Sequence, residues 1–302
     1  MAAHLSLQTT SCRRMRPLLP SLRWFLLVLA CLLASAPAFA QSSQPRTVSF
    51  PSADGQTTLT GYLFPPAGRP KIAPAVVLLH GRGGVYLARA KGNYSSVTLA
   101  RGIRSWANLW AGQGYWVLVV DSFGPRGYPG GLPGARTGAP NELAVRPLDA
   151  YGALRYLRGS PRVLPDRIAL EGWSTGGDVA LETLDKSRVP LAVTQSGRGF
   201  RAAVVFSPHC EALGRLKSPY VPYAPVRIFV GGHGPFEGAA DCQKAASAGK
   251  AAGGDITTTV FAAASANFDD PARERPSSPA NAAAATTARQ QAVALLVAAL
   301  GH

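Results

Sequence analysis

The sequence has few acidic residues, few cysteines and few histidines, and each shortage excludes something. Of its 302 residues, 16 are acidic against 31 basic, four are cysteines and five are histidines. So few cysteines in so long a chain exclude a small disulfide-stapled scaffold. The basic residues form no Lys/Arg run and do not alternate with aromatic residues, which argues against nucleic-acid binding. The sequence also shows no internal repeat, which excludes solenoids and propellers.

The first 40 residues have the features of an export signal. Arginines come first, an apolar stretch follows at 24–33, and Ala38-Phe39-Ala40 matches a cleavage site. The apolar stretch is too short to serve as a permanent membrane anchor. We therefore expect cleavage near Ala40 and a periplasmic or secreted protein, with Sec and twin-arginine export both open. The remaining chain is still basic, which favours anionic surfaces or substrates, although a merely basic exported surface is the plainer interpretation.

Residues 41–302 alternate between strand and helix patterns, which predicts a single α/β domain with a mostly parallel, doubly wound sheet and helices on both faces. Unbroken apolar runs are typical of strands that are buried on both sides, and helices show apolar groups at three- and four-residue spacing. The predicted strands lie at 46–50, 57–64, 74–79, 115–121, 168–170, 202–206, 226–230 and 255–262, and the predicted helices include 97–112, 146–159 and 282–300.

The stretch Gly172-Trp173-Ser174-Thr175-Gly176 has the G-x-S-x-G pattern between a strand and a helix, the context of a nucleophile elbow. Ser174 is therefore the candidate nucleophile, and the amide of Thr175 at the helix start is one candidate oxyanion donor. The second is the amide of Arg82, with Gly83 as the alternative, in the glycine loop after the strand at 74–79. We expect His80, in the same loop, to be a structural hydrogen bonder.

Cys210 and Cys242 are the two cysteines that remain after cleavage. One follows the strand at 202–206 and the other begins the helix after the next strand. Because neighbouring parallel strands would bring them together in an oxidising compartment, we predict a disulfide bond between them.

Several motifs in this order resemble the dienelactone hydrolase family of α/β-hydrolases, in its exported, serine-bearing branch. They are HGRGG, DSFGPRG, RPLDA, PDRIALEGWSTGG and FDDP, and the resemblance covers roughly 45–300. It implies the eight-stranded hydrolase sheet and a Ser-His-Asp triad that acts on small esters or lactones. The other triad positions depart from the family. The acid would fall on Gly234 or Pro235, and the histidine would fall on Ala266.

A serine needs a base to become a nucleophile. His4 lies in the leader and His302 ends the chain, so His233 and His209 are the candidate bases, with His233 slightly favoured because its loop normally lines the site. No acid is well placed to orient either ring, although Glu237, Asp241 and Asp269 lie nearby in sequence. Neither histidine has a second ligand at helix or hairpin spacing, so we expect no metal.

The sequence thus supports two hypotheses. The first is a serine hydrolase of small carboxylic esters or lactones that forms an acyl-enzyme on Ser174 and needs no cofactor. Its substrate would be a small molecule, with anionic ones included if Arg82, Arg104 or Arg126 meets a carboxylate. The second is a catalytically impaired pseudo-hydrolase that acts as a binding or scaffold protein.

Overall fold

The computed structural model describes residues 44–132, 141–188, 198–214, 216, 218–233, 238–270 and 278–301. The leader with its cleavage site lies outside the described residues, and so do Gly234, Pro235 and Glu237. Among the described residues, no helix is both long enough and apolar enough to cross a membrane.

Eight strands form one sheet in the order β1-β2-β4-β3-β5-β6-β7-β8. β1 and β2 pair antiparallel, as do β2 and β4, and every other neighbouring pair is parallel. This arrangement confirms the predicted, mostly parallel sheet. The strands are β1 Arg46–Pro51, β2 Thr58–Phe64, β3 Ala73–Leu79, β4 Trp116–Asp121, β5 Val163–Trp173, β6 Ala203–Phe206, β7 Val226–His233 and β8 Ile256–Ser265.

Helices cover both faces of the sheet. They are α1 Arg101–Gly112, α2 Glu142–Arg158, α3 Thr175–Leu184, the single turn α4 Glu211–Gly214, α5 Gly238–Ala251 and α6 Pro279–Leu300. One apolar core lies between the sheet and α2, α3 and α5, and the other lies between the sheet and α1 and α6. The alanine-rich α6 buries Ala284, Ala288 and Ala292 at four-residue spacing, so small side chains let it lie close to the sheet.

All three helices predicted from periodicity begin elsewhere, and α6 begins at Pro279 rather than at 282 because the side chain of Ser278 caps it. α1 begins at Arg101 rather than at 97, because Ser95 and Thr98 close a separate short turn with reciprocal hydrogen bonds. α2 begins at Glu142, one turn before Arg146, because the carbonyl of Asn141 accepts hydrogen bonds from the next turn. An ion pair of 3.0 Å between Glu142 and Arg146 also spans that turn.

The predicted disulfide between Cys210 and Cys242 is confirmed, with 5.1 Å between the two Cα atoms. Cys210 follows β6 and Cys242 lies in the first turns of α5, so the bond ties the segment after β6 to the helix after β7. That segment belongs to the candidate active site.

Candidate active site

Ser174 stands between β5 and α3 in a strained backbone conformation, with a φ of +51° and a ψ of −124°. A positive φ is costly for any residue with a side chain and usually persists where function requires it. The amide of Ser174 donates to the carbonyl of Phe206 at 2.9 Å, and its own carbonyl accepts from Gly177 and Asp178. These bonds fix the serine at the carboxyl end of the sheet, at the start of a helix.

Gly172 and Gly176 make this turn possible because neither position has room for a side chain. A Cβ atom on Gly176 would clash with the carbonyl oxygens of Leu79 and His80, and one on Gly172 would clash with the carbonyl of Gly176. The glycines of the G-x-S-x-G pattern therefore allow β5, α3 and the end of β3 to touch.

The glycine loop after β3 lies directly against the serine. A Cβ atom on Gly81 would stand 3.2 Å from Cβ of Ser174, so the residue just before Arg82 contacts the serine. The carbonyl of Gly81 accepts from Gly84, and that of Arg82 accepts from Leu132. Thr175 is the first residue of α3, where amides lack an intrahelical acceptor. Of the residues proposed from the sequence as oxyanion donors, Thr175 directly follows Ser174, Arg82 follows the Gly81 that lies against it, and Gly83 lies one residue further along the exposed loop.

His80 is buried and holds this loop in place. Its Nδ1 lies 2.7 Å from the carbonyl of Gly81, and its Nε2 accepts from the amide of Ser122 at 3.2 Å. Burial and the nearby charge of Arg146 lower the pKa of His80 well below its usual value, so the ring is neutral. Because both ring nitrogens are engaged inside the protein, His80 supports the loop rather than acting as a base.

A buried ion-pair chain supports the same loop from α2. Arg146 is completely buried and donates to the carbonyl of His80 and to Glu142. Glu142 also pairs with Arg82 at 3.3 Å. The carboxylate of Glu142 therefore contacts Arg82 directly and is linked, through Arg146, to the carbonyl of His80 at the start of the glycine loop.

His209 is the histidine that the structure equips with an acid. Its Nδ1 lies 2.6 Å from Oδ2 of Asp178, and the other oxygen, Oδ1, accepts from the amides of His209 and Cys210 at 2.9 and 3.1 Å. The hydrogen bond to Asp178 raises the pKa of His209, and this effect outweighs partial burial. The sequence-based interpretation that no acid orients either ring is therefore wrong.

Asp178 was missed because it lies on the nucleophile's own helix. In the family that the sequence resembles, the acid follows a later strand, whereas Asp178 stands four residues after Ser174, one helical turn away. An acid in the first turn of a helix is usually read as compensation of the helix dipole. The sequence signal was the four-residue spacing from the serine, which places both residues on one face of α3.

The other candidates lie elsewhere. His233 ends β7 with an exposed side chain, and none of the described residues forms a hydrogen bond with its ring. Ala266, at the position where the family has its histidine, accepts a hydrogen bond from the Ser207 hydroxyl through its carbonyl. Asp241 is exposed in the first turn of α5. Asp269 is buried and accepts from the indoles of Trp106 and Trp173, away from both histidines' rings.

Burial of Asp269 has an electrostatic consequence. It raises the pKa of the carboxyl to about 6, and the two indole donors only partly oppose this shift. Glu171 is buried nearby against the indole of Trp110, and its pKa is raised well above the usual value for the same reason. Two carboxyls with raised pKa values thus lie in the core, Glu171 on β5 itself and Asp269 after β8.

Two of the three arginines that were candidates for binding a substrate carboxylate are engaged inside the protein. Arg126 forms two hydrogen bonds to Asp149, at 2.7 and 2.8 Å, and Arg104 donates to the carbonyl of Ser96. Arg82 keeps 45% of its side chain exposed. It lines an open cavity of about 410 Å³ beside the glycine loop. The rest of that lining is Gly83, Tyr94, Gly127, Tyr128, Pro129, Gly130, Gly131 and Leu132.

Metal-ligating side chains do not gather in the described parts of the chain. No group of three or more His, Cys, Asp or Glu residues there could hold a metal ion.

Comparison with solved structures finds the same fold in esterases. A dienelactone hydrolase-like promiscuous phosphotriesterase from metagenomic libraries is 18% identical, with a TM-score of 0.60 over 86% of this chain and 100% of that one. Esterase 2 of Thermogutta terrifontis, phosphorylated by paraoxon, is 20% identical, with a TM-score of 0.61 over 85% and 95%. A dienelactone hydrolase from Anabaena variabilis is 20% identical, with a TM-score of 0.56 over 85% and 100%. No protein-family model and no curated protein matches the chain. The chain therefore has the α/β-hydrolase fold.

Proposed function

We propose that the protein is a serine hydrolase of small carboxylic esters or lactones, and that His209, oriented by Asp178, activates Ser174. The observation that carries this proposal is the contact of 2.6 Å between Asp178 and His209 on the helix that Ser174 begins. A histidine whose Nδ1–H is held by a carboxylate presents its other nitrogen, Nε2, as a proton acceptor. It therefore supplies the function for which the family uses residues after β7 and β8.

Hydrogen bonds tie the three residues together. The amide of Asp178 donates to the carbonyl of Ser174 at 3.1 Å, and the amide of Ser174 donates to Phe206, three residues before His209. The carboxylate of Asp178 then accepts a hydrogen bond from the amide of His209 and contacts Nδ1 of its side chain, which links the third residue to the other two. Nucleophile, acid and base thus share one turn of helix and one adjoining loop, which favours a fixed relative geometry.

The reaction would proceed in two halves. Oγ of Ser174 bonds to the carbonyl carbon while Nε2 of His209 takes the hydroxyl proton, and the amides of Thr175 and Arg82 hold the oxyanion. The imidazolium then returns the proton to the leaving alkoxide as the ester bond breaks. Water, deprotonated by His209, attacks the acyl-enzyme, and the acid product leaves as Ser174 regains its proton.

A small substrate fits the space beside the loop. The cavity of about 410 Å³ lies at the lower end of the range for small-molecule sites. Tyr94, Tyr128 and Pro129 offer it apolar surface, and Arg82 offers one positive charge. We accordingly propose a small-molecule ester or lactone as the substrate, anionic ones included, since Arg82 lines the cavity.

Labelling with a fluorophosphonate probe tests the proposal, because the probe reacts with serines that a base activates. The variants are Ser174→Ala, His209→Ala and, as a matched control, His233→Ala, which removes an exposed histidine at the same edge of the sheet. We expect labelling of the wild type and of the control, and none of the other two. Retained thermal midpoints would show that the variants fold.

Two results would contradict the proposal. Labelling that survives in His209→Ala but disappears in His233→Ala would transfer the role of base to His233. Absence of labelling in the wild type, under conditions where a related esterase reacts, would favour the pseudo-hydrolase, and the cavity would then be examined as a binding site.

A further inference from the structure

The end of the sheet opposite to Ser174 carries a cluster of exposed basic side chains. We call it the basic face, and it consists of Arg69, Lys71, Arg162, Arg167, Arg198 and Arg201, all of them exposed. Arg69 and Lys71 precede β3, Arg162 precedes β5, Arg167 lies in its first half, and Arg198 and Arg201 precede β6; the three strands are neighbours in the sheet. The backbone joins them, since Ala73 donates to the carbonyl of Arg162 at 3.0 Å and Arg201 donates to that of Ile168 at 2.8 Å. Strands lie about 4.8 Å apart, so three of them bring the six charges onto one compact surface.

The acidic residues at this end do not neutralise the basic face. Four acids lie there among the described residues, and each pairs with an arginine outside the set. Asp166 pairs with Arg158, Asp255 with Arg227, and both Glu182 and Asp185 with Arg188. None of the six basic-face side chains forms an ion pair with a described residue. The positive charge is therefore in local excess and open to solvent.

An apolar side chain projects from the middle of this charge. Ile72, between Lys71 and the first residue of β3, has 52% of its surface exposed, and it is one of three large hydrophobic residues in the described chain that are so exposed. The other two, Tyr94 and Val97, belong to the loops near the cavity, at the opposite end of the sheet. Solvent exposure of an isoleucine within a basic surface is the arrangement found where proteins lie on membranes.

We propose that the basic face is a docking surface for anionic phospholipid membranes, with Ile72 entering the headgroup layer. The negative potential of such a surface attracts basic residues, and salt screens this attraction. Insertion of an apolar side chain adds binding free energy that salt does not screen. Single-stranded nucleic acid fits less well, because it requires aromatic side chains for base stacking, and none of the large exposed hydrophobic residues described at this end is aromatic.

Docking in this way would leave the active site facing the solution. From Arg167 to Ser174 the strand rises about 3.3 Å per residue, so the two ends lie about 20 Å apart. That distance is about twice the screening length at 0.1 M salt, so the two sites act independently and the docking proposal does not depend on hydrolysis.

Vesicle co-sedimentation tests the proposal. The chain used starts at Gln41, because the apolar leader would bind lipid by itself and Ser42–His302 forms a compact unit of its own. It is mixed with phosphatidylcholine vesicles that contain or lack phosphatidylglycerol, at low and high salt. We expect binding that requires phosphatidylglycerol and weakens with salt. The variant Lys71→Gln/Arg162→Gln/Arg201→Gln should bind about a hundredfold more weakly, at about fivefold per charge.

A matched control removes three exposed basic residues from the other end of the sheet, as Arg89→Gln/Lys91→Gln/Arg101→Gln. It should keep most of the binding, and Ile72→Ser should weaken the part that persists at high salt. Equal losses in both triple variants would overturn the proposal, because net charge alone would then explain binding. No binding of the wild type to anionic vesicles, or tighter binding to a single-stranded oligonucleotide, would overturn it as well.

Discussion

Replacing Asp178 by asparagine tests the proposed base most directly, because it changes one atom of the contact. In the wild type, Oδ2 of Asp178 accepts from Nδ1 of His209 at 2.6 Å, while Oδ1 accepts two backbone amides. In Asp178→Asn the amide oxygen can keep the backbone bonds, and the NH₂ group then faces Nδ1. The ring must accept that bond at Nδ1 and carry its proton on Nε2, where it can no longer take the proton of Ser174.

The expected loss is large. The same change in a serine-protease triad lowers kcat by about 10⁴, and each tenfold corresponds to about 1.36 kcal/mol, so the transition state should lose about 5.5 kcal/mol of stabilisation. A pH profile adds a second readout. Asp178 raises the pKa of His209 above its usual 6.5, and the base must be neutral, so wild-type activity should rise with pH through a value above 6.5. Without the carboxylate, this rising limb of the pH profile should move to lower pH.

The assay is hydrolysis of a chromogenic acetate ester, with kcat/KM measured across pH. Asp241→Asn is the matched control, since Asp241 is also an aspartate in the first turn of a helix but lies on α5. A thermal midpoint for each variant separates loss of activity from loss of fold. Activity of Asp178→Asn within tenfold of the wild type, with an unmoved pH limb, would refute the role assigned to Asp178.

Two further predictions concern stability. Removing the disulfide as Cys210→Ala/Cys242→Ala should lower the free energy of unfolding by about 3–4 kcal/mol, since the bond closes a loop across a sequence separation of 32 residues; a difference under 1 kcal/mol in denaturant titrations would contradict this. Asp269 has a folded pKa of about 6 against a usual 3.8, so the native state binds the extra proton and loses stability as pH rises from about 4 through 6. Asp269→Asn should remove this slope, worth about 3 kcal/mol in total and about 1.4 kcal/mol between pH 5 and pH 7.5, and denaturant titrations of both proteins at these two pH values check it.

Sequence reasoning could predict the fold because its signals are local. Unbroken apolar runs mark buried parallel strands such as β3 and β4, and the glycines around Ser174 mark a turn in which three elements touch. Helix starts were less predictable, because hydrogen bonds of particular side chains and carbonyls decide them. The carbonyl of Asn141 begins α2 before Pro147, a residue that periodicity would place near a boundary.

The pairing of Asp178 with His209 is not local, and so it could not be predicted in the same way. The two residues are 31 positions apart, and only the parallel pairing of β5 with β6 brings their elements together. The family pattern directed attention to the segments after β7 and β8, where Ala266 stands. In the structure a histidine after the neighbouring strand and an acid from the nucleophile helix meet instead.

The compact arrangement of Ser174, Asp178 and His209 has a consequence for how such a protein can change. In the proposed arrangement nucleophile, acid and base occupy one helix turn and one loop, so the segments after β7 and β8 need not supply a reacting group. They can therefore vary in length and sequence around Ala266 and Asp269, whose hydrogen bonds with Ser207 and Trp173 support the site. For an engineer, these two segments are the place to build libraries for new substrates, and for natural descent they are the place where relatives of this chain can diverge at little cost.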